Sequence, residues 1–425
     1  MSYPAHRATT RHLGAAYPFA VAEGLGSGGV VVGHDVFGGI FSFDPFELYA
    51  AGVITSPNML VLGQIGRGKS AFVKSFLWRQ ALFGTRAWVV DPKGEYGGLA
   101  RAWGVAPLRL LPGGNLRLNP LDMPLTSAQG LSTNEKARRR GELLAALASA
   151  SLGRAVSPEE RSAIDLAVEA SGSEPTLPGV VEAMLDPSEE SARSLHSARR
   201  LLAADGRQVA LELRRLVTGD LRGMFDGHTT PGIDLDGPLV VLDLSALYRS
   251  DALGVIITCA TAWLQAALGA GDRAPGAGDR APGRVIVVVD EAWAVMKNLA
   301  VARWLQSSWK LARSFGVANV AVMHRLSDLL SAGAAGSEQV ELARGLLADS
   351  ETRVVYGQAP SEVPEARREL GLSLTEAGLL GQLGRGVALW QVGGRSFVVR
   401  HLLSPAEQQM VDTDAAMRAR PPNGQ

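Results

Sequence analysis

The residues best able to do chemistry stand together near the start of the chain. In Gly63-Gln64-Ile65-Gly66-Arg67-Gly68-Lys69-Ser70, two glycines enclose four residues and are followed by Lys and Ser. Such a loop lets consecutive backbone N–H groups converge on phosphate oxygens without side-chain clash. Lys69 can reach the outer phosphates as a point charge, and the Ser70 hydroxyl can ligate the magnesium that accompanies a nucleoside triphosphate. A glycine-rich turn with a chance Lys-Ser is the competing reading, and the flanking segments speak against it. Met59 to Leu62 reads as a strand, and Ala71 to Phe83 as a helix with Phe72, Phe76 and Phe83 on one face.

A second group of candidates lies far along the chain. Val285-Ile286-Val287-Val288-Val289 is a continuous β-branched run, of the kind buried on both faces of a parallel sheet, and it delivers Asp290-Glu291. Hydrolysis needs one carboxylate to orient a metal and another to position the attacking water. Three apolar runs end in Asp (Asp91, Asp243 and Asp290), and any of them could hold magnesium through water. Only Asp290 is followed directly by Glu. Asp290 is therefore the expected metal ligand beside Ser70, and Glu291 the expected water-positioning acid. Asp91 and Glu95, in Asp91-Pro92-Lys93-Gly94-Glu95-Tyr96, follow the strand Ala87–Val90 and would sit near bound phosphates, because ligands lie outside the carboxyl ends of parallel strands. A turn that merely ends a strand is the other reading of that segment.

These residues need a sheet to position them. The expected fold is α/β with a largely parallel central sheet. Residues 1–55 read as amino-terminal cap strands, 56–126 as the first part of the core, 127–235 as an all-helical insertion and 236–410 as the second part. A flexible loop at 269–283 is expected from the tandem copy of Gly-Ala-Gly-Asp-Arg-Ala-Pro, and a disordered tail over 411–425. Ser132 with Glu135, and Ser157-Pro158-Glu159-Glu160, match helix starts with an acid three residues after the cap. Gly393-Gly394 between Val387–Val392 and Ser396–Val399 signals a hairpin.

Composition bounds the function classes. With 42 Lys+Arg against 42 Asp+Glu, the chain has no overall attraction to a polyanion, although local patches such as Arg138-Arg139-Arg140 could still provide one. Paired, solvated helix faces are the expectation for those arginines. The single cysteine, Cys259, excludes an internal disulfide and fits a reducing compartment. The amino terminus lacks a signal core, so a cytoplasmic location is expected. Leu253 to Ala270 carries no charge, but Thr258, Thr261 and Gln265 favour an interior helix over a membrane span.

Taken together, Gly63–Ser70, Val90-Asp91-Pro92-Lys93-Gly94-Glu95-Tyr96, Leu118-Asn119-Pro120-Leu121-Asp122 and Val289-Asp290-Glu291-Ala292-Trp293 resemble, in type and order, the TraC-like conjugation and type IV secretion ATPases of the HerA-FtsK superfamily. The likeness runs from about Phe41 to Asp414. It implies a RecA-like P-loop NTPase and a hexameric ring that hydrolyses ATP with Mg2+ at subunit interfaces. It also implies membrane-embedded channel components as partners, with peripheral association at the cytoplasmic membrane face. DNA is the partner in the related translocase reading. Arg313 matches the place of the arginine that reaches a neighbour's phosphates, and His324 the place of the usual γ-phosphate-sensing Gln. Imidazole can donate or accept as an amide does, with added pH sensitivity. Lys69, Glu95, Glu291, Arg313 and His324 are thus the candidate catalytic residues. Family members usually carry a sizeable amino-terminal docking domain, whereas here the phosphate loop begins at residue 63. That domain is then expected as a separate polypeptide, or docking works differently.

Overall fold

Alternation along the apolar runs explains how one sheet builds two cores. Leu60, Leu62, Trp88, Val90, Val287 and Val289 point to one face, and Met59, Val61, Ala87, Val89, Ile286 and Val288 to the other. Successive strand residues face opposite sides, so a strand covered on both faces is apolar along its length unless a polar side chain is paired, as Asn319 is by donating to Asn58 Oδ1 at 3.1 Å. The computed structural model describes residues 24–26, 28–122, 132–218, 221–235, 237–248, 284–293, 299–311, 316–330 and 336–412. Cys259, the apolar stretch 253–270, the repeat at 269–283, Arg313 and residues 413–425 lie outside them.

Among the described residues there is one 11-stranded sheet. Its strands are β1 (Val30–Asp35), β2 (Ile40–Phe43), β3 (Met59–Leu62), β4 (Arg86–Asp91), β5 (Leu108–Arg109), β6 (Leu239–Asp243), β7 (Val285–Val289), β8 (Val317–Met323), β9 (Thr352–Tyr356), β10 (Val387–Val392) and β11 (Arg395–His401). Their spatial order is β2-β1-β11-β10-β9-β3-β8-β7-β4-β6-β5. From β9 through β5 every pairing is parallel; from β9 back to β2 every pairing is antiparallel. The mixed α/β architecture with a mostly parallel sheet is the one expected. The strand pair β1–β2 is continuous with that sheet through β11.

Two helices frame the amino-terminal part. Asp44 caps α1 (Pro45–Ala50) by accepting from the N–H groups of Phe46 and Glu47, while α2 (Lys69–Gln80) follows the glycine loop. The helix expected to reach Phe83 stops at Gln80 and tightens into a 3-10 turn, Ala81–Phe83, closed by Gly84 in the left-handed conformation. The tighter winding rotates Phe83 away from the stripe of Phe72 and Phe76. Phe83 is 57% exposed, against 1% and 2% for the other two.

Between β5 and β6, after the short α3 (Gly97–Ala102), come α4 (Thr133–Leu152), α5 (Pro158–Ala170), α6 (Leu177–Leu185), α7 (Glu189–Ser194) and α8 (Arg199–Val217). Ser157 and Glu160 form a reciprocal capping box on α5, and Ser132 caps α4. Gly206 on α8 lets the helices close up, since a Cβ there would meet Ala163 Cβ at 3.1 Å. Leu147, Ile164, Val180, Met184 and Leu213 share one buried cluster with Val90 and Leu242 of the sheet. The helices therefore pack as an extension of the sheet's own core. The buried amide of Asn119 ties the segment down, donating to Asp122 Oδ1 at 2.7 Å and Pro175 O at 2.9 Å. Of its arginines, Arg138 pairs with Glu142, Arg139 with Glu135 and Arg199 with Asp186.

After β7 the chain adds α9 (Leu299–Leu311), α10 (Leu326–Leu330), α11 (Glu338–Ala348), α12 (Val363–Leu370), α13 (Leu374–Leu380) and α14 (Pro405–Val411). No helix among the described residues is long and apolar enough to cross a membrane.

Candidate functional site

The glycine loop leaves β3 through three residues with positive φ, Gly63 at 151°, Gly66 at 77° and Gly68 at 112°. Gly63 is constrained twice, because a Cβ there would also lie 2.5 Å from Tyr356 Cβ on β9. The loop is moored to the antiparallel side by Gln64 N–H donating to Gly357 O at 3.1 Å and Gly386 N–H donating to Arg67 O at 2.9 Å. No side chain caps α2 at Gly68. Its first N–H groups are therefore unserved by a capping side chain and suited to an anion. Lys69, only 4% exposed, donates from Nζ to Gly63 O at 2.5 Å and Gln64 O at 2.9 Å. Burial lowers its pKa to about 8, against the pull of Asp290 and Glu291. Ser70 follows at the helix start, its hydroxyl without a protein partner among the described residues.

Strand order brings the acids to this loop. β8 lies between β3 and β7, so the carboxyl end of β7 opens two strands from the loop, with β4 on its far side. Asp290 is 5% exposed, and its Oδ1 accepts the Glu291 N–H at 2.9 Å. Burial, then the charges of Glu291, Glu95 and Asp91, push its carboxyl up to about 7. Such a field calls for a cation. Among the described residues no three His, Cys, Asp or Glu groups are arranged to hold a metal. Magnesium takes few protein ligands and completes its shell with phosphate and water. Ser70 and Asp290 fit that role.

Glu291 adopts φ 54°, a left-handed conformation uncommon for a residue with a side chain. Its carboxylate receives three partners: the Trp293 indole N–H on Oε2, and the Lys93 ammonium and His324 Nε2 on Oε1, the last at 2.5 Å. Burial alone would raise its pKa, but these donors hold it down to about 2. Glu291 is thus ionised and fixed in place. His324 stands at the end of β8 with Nδ1 buried and without a hydrogen-bond partner among the described residues.

In the segment after β4, Asp91 accepts the N–H groups of Lys93 at 3.2 Å and Tyr96 at 2.9 Å, so it frames its own loop. Asp243 similarly accepts the Ser245 N–H at 2.9 Å, one strand further out on β6. Of the three strand-ending acids, Asp290 is the one beside β8. The Glu95 side chain is half-buried and makes no hydrogen bond or salt bridge among the described residues, yet its charge acts on Lys69, Lys93 and Asp290. Beneath them Lys74 of α2 is fully buried with Nζ unpartnered, 5.2 Å from the Tyr96 ring centre.

The structure thus brings Lys69, Glu95, Asp290, Glu291 and His324 into one neighbourhood, and Arg313 lies outside the described residues. Reading the sequence passed over Lys93, Lys74 and Trp293. Lys93 lies between the two acids of its segment, and its place beside Glu291 follows from the β7–β4 pairing, which no local pattern announces.

No protein-family model matches this sequence, and no curated protein does. Solved structures do. The structure of VirB4 of Thermoanaerobacter pseudethanolicus aligns at a TM-score of 0.68 with 22% identity, over 90% of this chain and 99% of that one. The bacterial conjugative coupling protein TrwB lacking 70 amino-terminal residues, in complex with sulphate, aligns at 0.54 with 16% identity, over 82% and 85%. TrwB in complex with ADP and Mg2+ aligns at 0.53 with 16% identity, over 83% and 87%. The chain has the RecA-like P-loop NTPase fold.

Proposed function

We propose that the chain is an ATP-hydrolysing motor of a conjugative transfer or type IV secretion-like system, energising assembly or substrate transport at the cytoplasmic face of a membrane. The observation that carries this reading is the meeting of an uncapped glycine loop, Lys69, Asp290 and Glu291 at one edge of a fold similar to VirB4 along nearly its whole length. The four motifs quoted above occur in the order of the secretion ATPases, and TrwB has been solved with ADP and Mg2+.

Lys69 and the loop amides hold the phosphates, with the ammonium exchanging its two carbonyl acceptors for phosphate oxygens. Ser70 and Asp290 are the residues that would hold magnesium, which when bound neutralises charge on the β- and γ-phosphates. Glu291 accepts a hydrogen bond from a water and aims it. The water oxygen bonds to the γ-phosphorus while the bond to the bridging oxygen breaks, its electron pair staying with ADP. The water's protons leave with the phosphate and to solvent. His324 contacts the terminal phosphate, Glu95 tunes the charge around Lys69, and Arg313 serves a neighbouring subunit's site in a hexameric ring. Membrane-embedded channel components hold that ring at the membrane.

Hydrolysis of MgATP by the purified full chain tests the reading. Lys69→Ala is expected to abolish turnover, and an unchanged rate in that variant rejects the assignment. The likeness to a conjugative coupling protein supports a second reading, a DNA translocase. Strong stimulation of the ATPase by plasmid-length DNA, weakening steeply with salt, would favour it; indifference to DNA favours the first.

A further inference from the structure

Lys93 stands in the middle of the site without a part in the chemistry just outlined. Its ammonium pairs with Glu291 Oε1 and lies 3.0 Å from His324 Nε2, with the Tyr248 ring centre 6.0 Å away. His324 Nε2 approaches the same carboxylate oxygen at 2.5 Å. One ring nitrogen cannot donate to Glu291 and accept from Lys93 at once. The carboxylate is the stronger acceptor and takes the imidazole N–H, so imidazole and ammonium converge on Oε1 as two donors.

That leaves the ammonium under-used. It carries three N–H groups, and among the described residues only Glu291 is left to accept from it. The Lys93 side chain is 27% exposed, whereas that of Glu291 is 2% exposed, so Lys93 is the more open member of the pair. Lys69 lies close enough for the two positive charges to oppose each other. Two ammonium groups that repel across a pair of carboxylates are suited to an anion with several oxygens between them.

We propose that Lys93 is a second phosphate-directed cation of this site, donating to the outermost phosphate of a bound triphosphate while it holds the Glu291 carboxylate beside it. This rests on the ATP-hydrolysis reading above and deepens it. Lys69 serves the phosphates from the loop, and Lys93 ties the place of the terminal phosphate to that of the water-orienting acid. It is a positioning residue for Glu291 as well as a phosphate contact. A diphosphate has no group at that place, so Lys93 separates ATP from ADP.

The test uses the full chain, with steady-state MgATP hydrolysis and equilibrium binding of ATPγS and ADP. In Lys93→Met, kcat is expected to fall by about a hundredfold, with KM rising about as much as triphosphate affinity falls. ATPγS affinity should drop several-fold while ADP affinity stays, with a melting temperature near that of the wild type. Lys93→Arg, which keeps the charge, should recover at least about a tenth of the wild-type kcat. A Lys93→Met kcat within about twofold of wild type, or equal losses of ATPγS and ADP affinity, overturns the proposal. If the Met variant does not fold, Lys93→Gln, which also removes the charge, decides by its preference for ATPγS over ADP; a preference equal to the wild type's overturns the proposal. A wild type that neither binds nor hydrolyses MgATP sinks the nucleotide reading and this inference with it. That outcome is distinct from wild-type turnover that survives Lys93→Met.

Discussion

The two halves of the one sheet are built on opposite principles. In the parallel half, β3, β7 and β8 are buried at every position, and the charged groups are gathered at the strand ends. In the antiparallel half the interior is aromatic. Phe41 and Phe43 lie 5.0 and 5.2 Å from Trp390, which packs edge-on at 5.2 Å against Phe72 of α2. Its charges are matched: the Arg79 guanidinium grips both oxygens of Glu407, at 2.6 and 2.8 Å, and donates to Leu402 O at 2.6 Å. By contrast the parallel half keeps a lysine without a hydrogen-bond partner, Lys74, and an acid crowded by other acids, Asp290. The contrast lies in the charges, since His34, Thr352 and Gln391 of the antiparallel half also keep a buried polar atom without a hydrogen-bond partner, and α2 spans both halves. Its amino end carries the phosphate loop while its side is stapled to the aromatic cluster. Chemistry and stability should therefore separate by region.

The sharpest break of that separation would come at Glu291. Glu291→Gln removes the charge that orients water while keeping size and a hydrogen-bonding group. We expect turnover to fall by at least about a thousandfold, roughly 4 kcal/mol in barrier, with ATP still bound. Stability should also fall, by about 1 to 3 kcal/mol, since Lys93 and His324 lose the charged acceptor that they hold ionised. Single-turnover kinetics and a denaturant melt on the same preparation read both numbers. A large loss of stability with modest loss of rate would reverse the assignment of roles.

The mirror experiment lies in the aromatic half. Trp390 is fully buried, and Trp390→Ala is expected to cost about 3 to 4 kcal/mol by urea unfolding through lost contact and the cavity left behind. At a temperature where the variant remains folded, KM for ATP should stay within about threefold of the wild type, because the change reaches the loop only through α2. A KM that rises by orders of magnitude would mean that the two halves are not separable.

How much of this could be read from the residues differs between the halves in the same way. The parallel strands announce themselves as β-branched runs, and the helices between β5 and β6 through their caps, because those signals are local. The phosphate loop and Asp290-Glu291 are recognisable for the same reason. What joins them is not local. Lys93 meets Glu291 because β4 pairs with β7, and Arg79 meets Glu407 across 328 residues of chain. The short pieces around Val30–Val32 and Ile40–Phe43 look like an isolated cap until β1 is seen to pair with β11. The two-residue strand β5 carries too little pattern to stand out. Phe83 leaves its expected face because the end of α2 tightens, an effect of winding that a fixed helical period does not include.

The halves should also titrate in opposite directions. His401 of β11 donates from Nε2 to Ser75 Oγ at 2.7 Å, since that hydroxyl itself donates to Phe72 O at 2.9 Å. Burial and the nearby Arg79 charge, opposed by Glu407, lower its pKa from 6.5 to about 4. With the folded value below the unfolded one, the unfolded chain binds the proton first. Stability from this residue is complete above about pH 6.5 and lost as pH falls toward 4, by up to about 3 kcal/mol. Asp290 has the reverse sign: its folded value is raised, so its contribution is complete below 3.8 and declines as pH rises through about 7. Unfolding free energies of the nucleotide-free protein between pH 4 and 8 should therefore lose their acid slope in His401→Gln and gain stability near neutrality in Asp290→Asn. An acid slope unchanged in His401→Gln would place the acid sensitivity elsewhere. It would also remove the aromatic half's claim to be the part that fails when the protein is acidified.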